Sequence, residues 1–126
     1  MGKKKVETET EAGRLNNEIL RLSNKLHKIK HAEADAQNMP LLGKCFKRID
    51  RYKKVSWPVY QRVTFVDGEW LTIFSLYVRT NGMPDFRENE MCSVGELGKP
   101  CSLREMRAAW RREIKRSVDK GNKALE

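Results

Sequence analysis

The stretch WPVYQRVTFVDGEWLTIFSLYVRT, residues 57–80, decides the fold of this chain. It is rich in β-branched and aromatic residues, which favour strands. In its middle stands Asp67-Gly68, and an Asp-Gly pair between two strand-like runs is the strongest short hairpin signal. The stretch therefore predicts two antiparallel strands, over residues 57–66 and 70–80, joined by a tight turn.

The segments on either side extend this hairpin into a sheet. Residues 41–49 contain a short strand, and Asn81-Gly82 predicts a second tight turn into a strand over residues 86–92. Pro58 predicts an edge strand or an irregular strand start. Four or five short strands with tight turns predict a small antiparallel SH3-like β-barrel over residues 41–101. Aromatic side chains are expected to supply much of its core: Trp57, Tyr60, Phe65, Trp70, Phe74 and Tyr77.

A long helix is predicted before the sheet, over residues 12–38, and it ends before Pro40 because proline disfavours helix at the preceding residue. Residues 1–11 are polar and are predicted to be a flexible N-terminus. Apolar residues recur along the helix at the 4-3-4-3 spacing of the a and d positions of a coiled coil. They form the predicted oligomer interface: Leu15, Ile19, Leu22, Leu26 and Ile29.

This interface predicts a homodimer but leaves its geometry open. With Ile19 and Leu26 at a positions, a parallel pair brings Lys25 against Lys30, and none of its flanking pairs is attractive. An antiparallel pair, a partner helix of another protein, or packing of the helix on its own domain are the alternatives.

A second helix is predicted over residues 102–120. Ser102 and Glu105 match the capping box that starts a helix, and Gly121 marks its expected stop. One apolar face is expected to dock onto the sheet: Leu103, Met106, Trp110, Ile114 and Val118. The predicted architecture is therefore α+β, with a coiled-coil helix, a small β domain and a C-terminal amphipathic helix.

Composition narrows the class of function. The 126 residues carry a net charge of +9, which favours an anionic partner such as nucleic acid, a membrane surface or an acidic protein. No apolar run is long enough to span a membrane, and we expect no membrane partner. The N-terminus lacks a secretory signal. Three widely spaced cysteines are typical of free thiols, so a cytoplasmic location is predicted.

Catalytic motifs are missing from the sequence. It has no nucleophile elbow, phosphate-binding loop or HExxH motif. His27 and His31 are four residues apart, but they fall at solvent-facing heptad positions with no third metal ligand nearby. The sequence predicts a protein that is not an enzyme and needs no metal or cofactor.

The positive charge is concentrated in two segments, residues 44–62 and the last helix, with an acidic region over residues 66–98 between them. Arginine dominates the helix, and its planar fork suits phosphate or carboxylate. A solvated outer helix face is the alternative interpretation. The predicted nucleic-acid or partner-binding residues are Lys44, Lys47, Arg48, Arg51, Lys53, Lys54, Arg104, Arg107, Arg111, Arg112, Lys115 and Arg116.

Three runs carry a resemblance to a known group of proteins: LLGKCFK at residues 41–47, VYQRVTFVDGEWL at residues 59–71, and Ala108-Ala109-Trp110 in the last helix. Their order resembles small bacteriophage proteins in which a coiled-coil arm precedes an SH3-like domain. The last helix of this chain is richer in arginine than theirs.

The resemblance implies an accessory or anti-defence inhibitor in the host cytoplasm. Such a protein would bind nucleic acid or a nucleoprotein complex such as a CRISPR effector. The alternative is a coiled-coil adaptor that binds protein and has no role with nucleic acid.

Overall fold

The first element is a long helix, α1 (Glu11–Asn38), in a computed structural model that describes residues 10–78 and 85–126. Thr10 caps it, since its hydroxyl accepts a hydrogen bond from the Gly13 amide at 3.0 Å. A single 3-10 turn, Met39–Leu41, follows and contains Pro40. Most of the predicted flexible N-terminus lies outside the described residues.

Five antiparallel strands and a second helix follow. The strands are β1 (Cys45–Tyr52), β2 (Val55–Asp67), β3 (Trp70–Tyr77), β4 (Asp85–Ser93) and β5 (Lys99–Cys101), and the helix is α2 (Leu103–Ala124). The strand order is β4-β3-β2-β1-β5. The α+β class is therefore confirmed. The sheet is open, with β4 and β5 at its edges, so the predicted SH3-like barrel is not confirmed.

The Asp67-Gly68 hairpin forms as predicted. Asp67 pairs with Trp70 across the turn, and Gly68 has a φ of +63°, a conformation that glycine adopts at little cost. The second predicted turn, at Asn81-Gly82, lies outside the described residues, as does the end of the predicted strand over residues 70–80.

β2 is a central strand, so the edge-strand prediction from Pro58 is wrong. The first residue pair between β2 and β3 is Val59 with Tyr77, one residue after this proline. At Pro58 the backbone carbonyl still accepts a hydrogen bond from the Val78 amide at 3.1 Å.

Within residues 10–78 and 85–126, the pairing of β1 with β2 continues past the last pairs that β5 makes with β1 and β3 makes with β2. β5 pairs only with the part of β1 from Cys45 to Lys47, and β3 reaches only to Val59 of β2. This part of the hairpin, residues 48–58, is called here the β1–β2 ribbon. Its tip turns at Lys53, which has a φ of +56°.

Two apolar clusters cover the two faces of the sheet. The first is closed by the segments before β1 and before β5, through Leu41 and Leu97, and contains Phe46, Val63, Val66, Leu71, Ile73 and Cys92. The second lies beneath α2 and contains Cys45, Tyr60, Leu76, Met106 and Ala109.

A β-bulge at Thr64 corrects the predicted core. Val63 pairs with Ile73 and Phe65 with Thr72, so Thr64 is the extra residue. The bulge reverses the alternation of the strand, because an added residue switches which side chains face each way. Phe65, predicted in the core, is consequently 58% exposed, and Trp70 is also exposed.

α2 docks on the sheet through its first half. Ser102 caps it by accepting a hydrogen bond from the Glu105 amide at 3.0 Å. Met106 is buried, whereas Ile114 and Val118, predicted to dock, are exposed. The helix continues through Gly121 to Ala124, beyond the predicted stop.

Polar contacts near its C-terminal end attach α1 to the domain. The Gly68 amide donates to Asp35 Oδ1 at 3.1 Å, and Asn38 Nδ2 donates to the Gly68 carbonyl at 2.9 Å. One turn earlier, His31 Nε2 lies 2.7 Å from Asp67 Oδ1. His31 therefore faces the β2–β3 turn, although the heptad pattern placed it on the solvent side.

Candidate nucleic-acid interface

The outward face of α2 is a row of basic side chains. Met106 and Ala109 are buried against the sheet, and successive residues of a helix turn by about 100°. The opposite face must therefore point to solvent. It carries five exposed basic residues: Arg104, Arg107, Arg111, Arg112 and Lys115.

The sixth predicted residue of α2, Arg116, differs from these five. Its guanidinium forms an ion pair with Glu113, whose carboxylate is almost completely buried. Among the described residues, Glu113 Oε2 has no hydrogen-bond partner. Breaking the pair would leave a buried charge, which is costly, so Arg116 is held to its own helix.

The basic run over residues 44–62 is divided between the two faces of the sheet. Lys47 lies on the α2 side, with its ammonium 5.4 Å from the centre of the Tyr60 ring. Arg48 points to the other side, because adjacent residues of a strand alternate. There its Nε donates to Asp50 Oδ1 at 2.8 Å. Partial burial lowers the pKa of Arg48, but the hydrogen bond and charge of Asp50 outweigh it and raise the pKa overall.

Besides Asp50, the charge of Glu90 on that side also helps to raise the pKa of Arg48. The Tyr77 hydroxyl donates to Glu90 Oε1 at 3.0 Å, and the Arg87 guanidinium stands 4.6 Å over the Tyr77 ring. Burial first, and then the bond to Glu90, raise the pKa of Tyr77. Arg48 is therefore part of an internal ion-pair network on this face.

Ten of the predicted residues remain outside ion pairs with other parts of the described chain. They are Lys44, Lys47, Arg51, Lys53, Lys54, Arg104, Arg107, Arg111, Arg112 and Lys115. Lys53 stacks over the exposed Tyr52 ring at 5.4 Å, at the tip of the β1–β2 ribbon. The ribbon and the outer face of α2 thus hold eight of these ten residues.

Arg62, which the sequence interpretation left out of the set of site residues, joins the two basic segments. It pairs with Cys45 across β1 and β2. Burial raises the pKa of Cys45, and the charges of Arg62 and Arg107 partly oppose this rise. Both guanidinium groups therefore lie near the same thiol, and the strand register was the information needed to find Arg62.

An aromatic surface adjoins this junction. Phe74 and Phe86 stack with ring centres 5.7 Å apart, and Phe86 meets Trp110 edge-on at 5.4 Å. A shallow pocket of about 220 Å³ beside them is lined by Phe74, Trp110, Arg62 and Arg107. Nucleobases stack on exposed aromatic rings, and neighbouring arginines strengthen such binding.

A second, wider cleft lies at the β5 edge. It has a volume of about 730 Å³, and its lining includes Lys47, Arg48, Lys99 and Glu105. Gly98 lies directly against the Lys47 backbone, where a Cβ atom would collide with the carbonyl. Sequence reasoning missed Lys99, because only the pairing of β5 with β1 brings it beside Lys47.

The predicted oligomer interface is uncovered in this chain. Leu15, Ile19, Leu22, Leu26 and Ile29 are all exposed. The stripe is therefore not packed on the chain's own domain, which was one of the alternatives.

Two further observations bear on the range of ligands. Within residues 10–78 and 85–126, no three or more His, Cys, Asp or Glu side chains are grouped to hold a metal ion. No helix in the same part of the chain is long and apolar enough to cross a membrane.

Comparisons with known proteins give no further indication of what these basic surfaces bind. Comparisons of the chain with protein-family models, curated proteins and solved structures found no match.

Proposed function

We propose that this protein binds nucleic acid, free or within a nucleoprotein complex, through the outer face of α2 and the β1–β2 ribbon. The observation that carries the proposal is the separation of its basic residues into two classes. Arg48 and Arg116 are neutralised by Asp50 and Glu113. The other ten predicted residues form no ion pair with an acidic side chain among the described residues.

The two surfaces suit the two parts of such a ligand. Arginine on α2 offers a planar fork that matches phosphate oxygens, and each phosphate neutralised releases counterions into solution. A two-stranded ribbon has the width to enter the major groove of a duplex. Lys53 and Lys54 stand at its tip, beside the exposed Tyr52.

The bacteriophage resemblance extends the proposal to an inhibitory role. An anti-defence inhibitor would compete for the anionic groove of a complex such as a CRISPR effector. The same arginines would then contact the nucleic acid of the complex or acidic side chains lining its groove.

A salt titration tests the proposal. Binding of labelled duplex DNA and single-stranded RNA is measured at several salt concentrations for wild type and for Arg107→Ala/Arg111→Ala. Each lost phosphate contact should reduce the slope of log affinity against log salt by about 0.9 for a duplex. We expect the double variant to bind more weakly and to lose roughly two units of slope.

A charge-matched control keeps the test specific. Arg14→Ala/Lys28→Ala removes the same charge from exposed positions of α1. An equal loss of slope in the control would show that net charge alone drives binding, and would overturn the placement on α2. Wild-type affinity without any salt dependence, or no binding at low salt, would overturn the proposal itself.

A protein-binding adaptor is the second candidate, and the exposed stripe on α1 favours it. In that case the coiled coil would pair with a helix of another protein, and the basic surfaces would serve solubility. The titration separates the two candidates, because an adaptor predicts no salt-dependent binding to either nucleic acid.

A further inference from the structure

The apolar stripe of α1 and the domain lie on opposite sides of the helix. Contacts with the domain come from Asp35 and Asn38, and from His31 one turn earlier. At about 100° per residue, His31 is rotated roughly 140° from Leu26 and about 200° from Ile29 around the axis. The domain therefore cannot fold back to cover the stripe while these contacts hold.

The stripe also ends where the domain contact begins. Its last apolar position is Ile29, and the next core position along the heptad is Glu33. The apolar stripe and the residues that contact the domain therefore occupy different parts of α1 along its length. The apolar segment of the helix does not contact the described part of the domain and is available to another molecule.

We infer that this segment pairs with the same segment of a second copy in an antiparallel coiled coil of defined register. In the best register Ile19 packs against Leu22 of the second copy, and Leu15 against Leu26. Ala12 then meets Ile29, so every core layer over residues 12–29 is apolar on both sides. The two-fold axis passes between Leu20 and Arg21.

Charge complementarity selects this register. It brings Glu18 beside Lys25 of the second copy, once on each side of the axis, because antiparallel helices bring g positions together. Glu18 already accepts a hydrogen bond from Arg21 at 2.8 Å through Oε1, which leaves Oε2 for the lysine. Shifting one helix by a heptad would set Lys25 against Lys25 or Glu18 against Glu18.

The parallel arrangement is disfavoured by the same residues. There Lys25 would face Lys30 of the second copy, with no attractive pair to offset the repulsion. An antiparallel pair also places the two domains at opposite ends. His31 lies about ten residues from the axis, so the two attachment points are separated by about 30 Å along the coil.

A pair of substitutions on one helix tests the interface. The full-length protein is measured by light scattering coupled to gel filtration, as wild type, Leu22→Glu and Leu20→Glu. Leu20 is the matched control, since it is as exposed as the stripe but lies outside it, at 60% against 49% for Leu22. We expect a dimer for wild type and Leu20→Glu, and a monomer for Leu22→Glu.

Charge exchange then tests the orientation. In the antiparallel register Lys25→Glu sets a new carboxylate against Glu18 of the second copy, and the dimer dissociation constant should rise roughly tenfold at low salt. Adding Glu18→Lys should restore it. In a parallel pair the single change would strengthen the dimer, because the new carboxylate would face Lys30.

Three outcomes overturn the inference. They are a monomeric wild type, a dimer that survives Leu22→Glu, and a dimer strengthened by Lys25→Glu. A monomeric wild type would leave the stripe for a helix of another protein. Each of these measurements is made without nucleic acid, so failure here is separable from failure of the proposed function.

Discussion

The two helices are attached to the same sheet in opposite ways. α2 buries Met106 and Ala109 against it and turns a basic face outward. α1 touches the β2–β3 turn through hydrogen bonds near its C-terminal end and leaves its apolar residues in solvent. In α2, the buried apolar face stabilises the fold, and the exposed basic face remains free to bind a ligand. In α1 polar groups make the attachment, and the apolar surface is left for a partner.

The largest expected effect is on the free energy of unfolding, and it comes from a side chain that packs α2 onto the sheet. Met106→Ala removes an apolar side chain from beneath α2 and should lower the free energy of unfolding by about 2–5 kcal/mol. Leu22→Ala, on the exposed stripe of α1, should change it by less than about 0.5 kcal/mol. Urea unfolding followed by tryptophan fluorescence, at protein concentrations that keep the chain monomeric, measures both. Equal losses would mean that α1 also belongs to the core.

Two glycines give the next contrast. A Cβ at Gly68 would lie 2.5 Å from His31 Cδ2, at a φ of +63°, so Gly68→Ala should cost about 1–3 kcal/mol and loosen α1 from the turn. Gly121 in α2 has open space around it. Gly121→Ala should stabilise that helix by about 0.5–1 kcal/mol. Thermal unfolding monitored by circular dichroism measures both, and a neutral Gly68→Ala would contradict the contact with His31.

Removing the N-terminal cap of each helix tests whether that helix contributes to the stability of the whole protein or only to its own first turn. Removing either hydroxyl, by Ser102→Ala or Thr10→Ala, should cost about 1 kcal/mol of helix stability. The loss at Ser102 should appear in the unfolding midpoint, because α2 is packed on the core. The loss at Thr10 should appear only as faster hydrogen exchange in the first turn of α1. A shift in the midpoint for Thr10→Ala would show that α1 unfolds with the domain.

The smallest expected effect is on the rate at which the Cys45 thiol is alkylated. Burial beneath α2 raises the pKa of Cys45, so less thiolate is present at a given pH and alkylation should be slow and should accelerate as pH rises. Met106→Ala should speed this labelling by loosening α2, whereas Leu22→Glu should leave it unchanged. Mass spectrometry of the labelled peptide provides the rate. Acceleration by Leu22→Glu would show that α1 shields the same cluster.

The sequence carried enough information for the local elements and for one turn. Asp67-Gly68 formed its hairpin because the residues themselves favour that backbone conformation. The tip at Lys53 escaped prediction, since lysine has no preference for a positive φ. The bulge at Thr64 escaped as well, because an extra residue in a strand leaves no mark in composition and yet reverses which neighbours are buried.

The sequence predicted which charged residues belong to the candidate site, but it did not predict how they are arranged on the surface. Arg48 and Arg107 look alike in the sequence, but strand alternation sends Arg48 to the face with Asp50 while Arg107 stays in solvent. Arg62 and Lys99 enter only through strand register. Pairing between distant segments decided these placements, and no local pattern encodes it.

The open sheet has a consequence for how this protein behaves when concentrated. β4 is an edge strand, and edge strands invite pairing with other chains. Here the edge is interrupted at Asn89, whose φ of +57° accompanies a register shift against β3. Arg87, Glu88 and Glu90 surround this kink with charge. A second sheet could not add to such an edge in regular order, so the strand carries its own protection against aggregation.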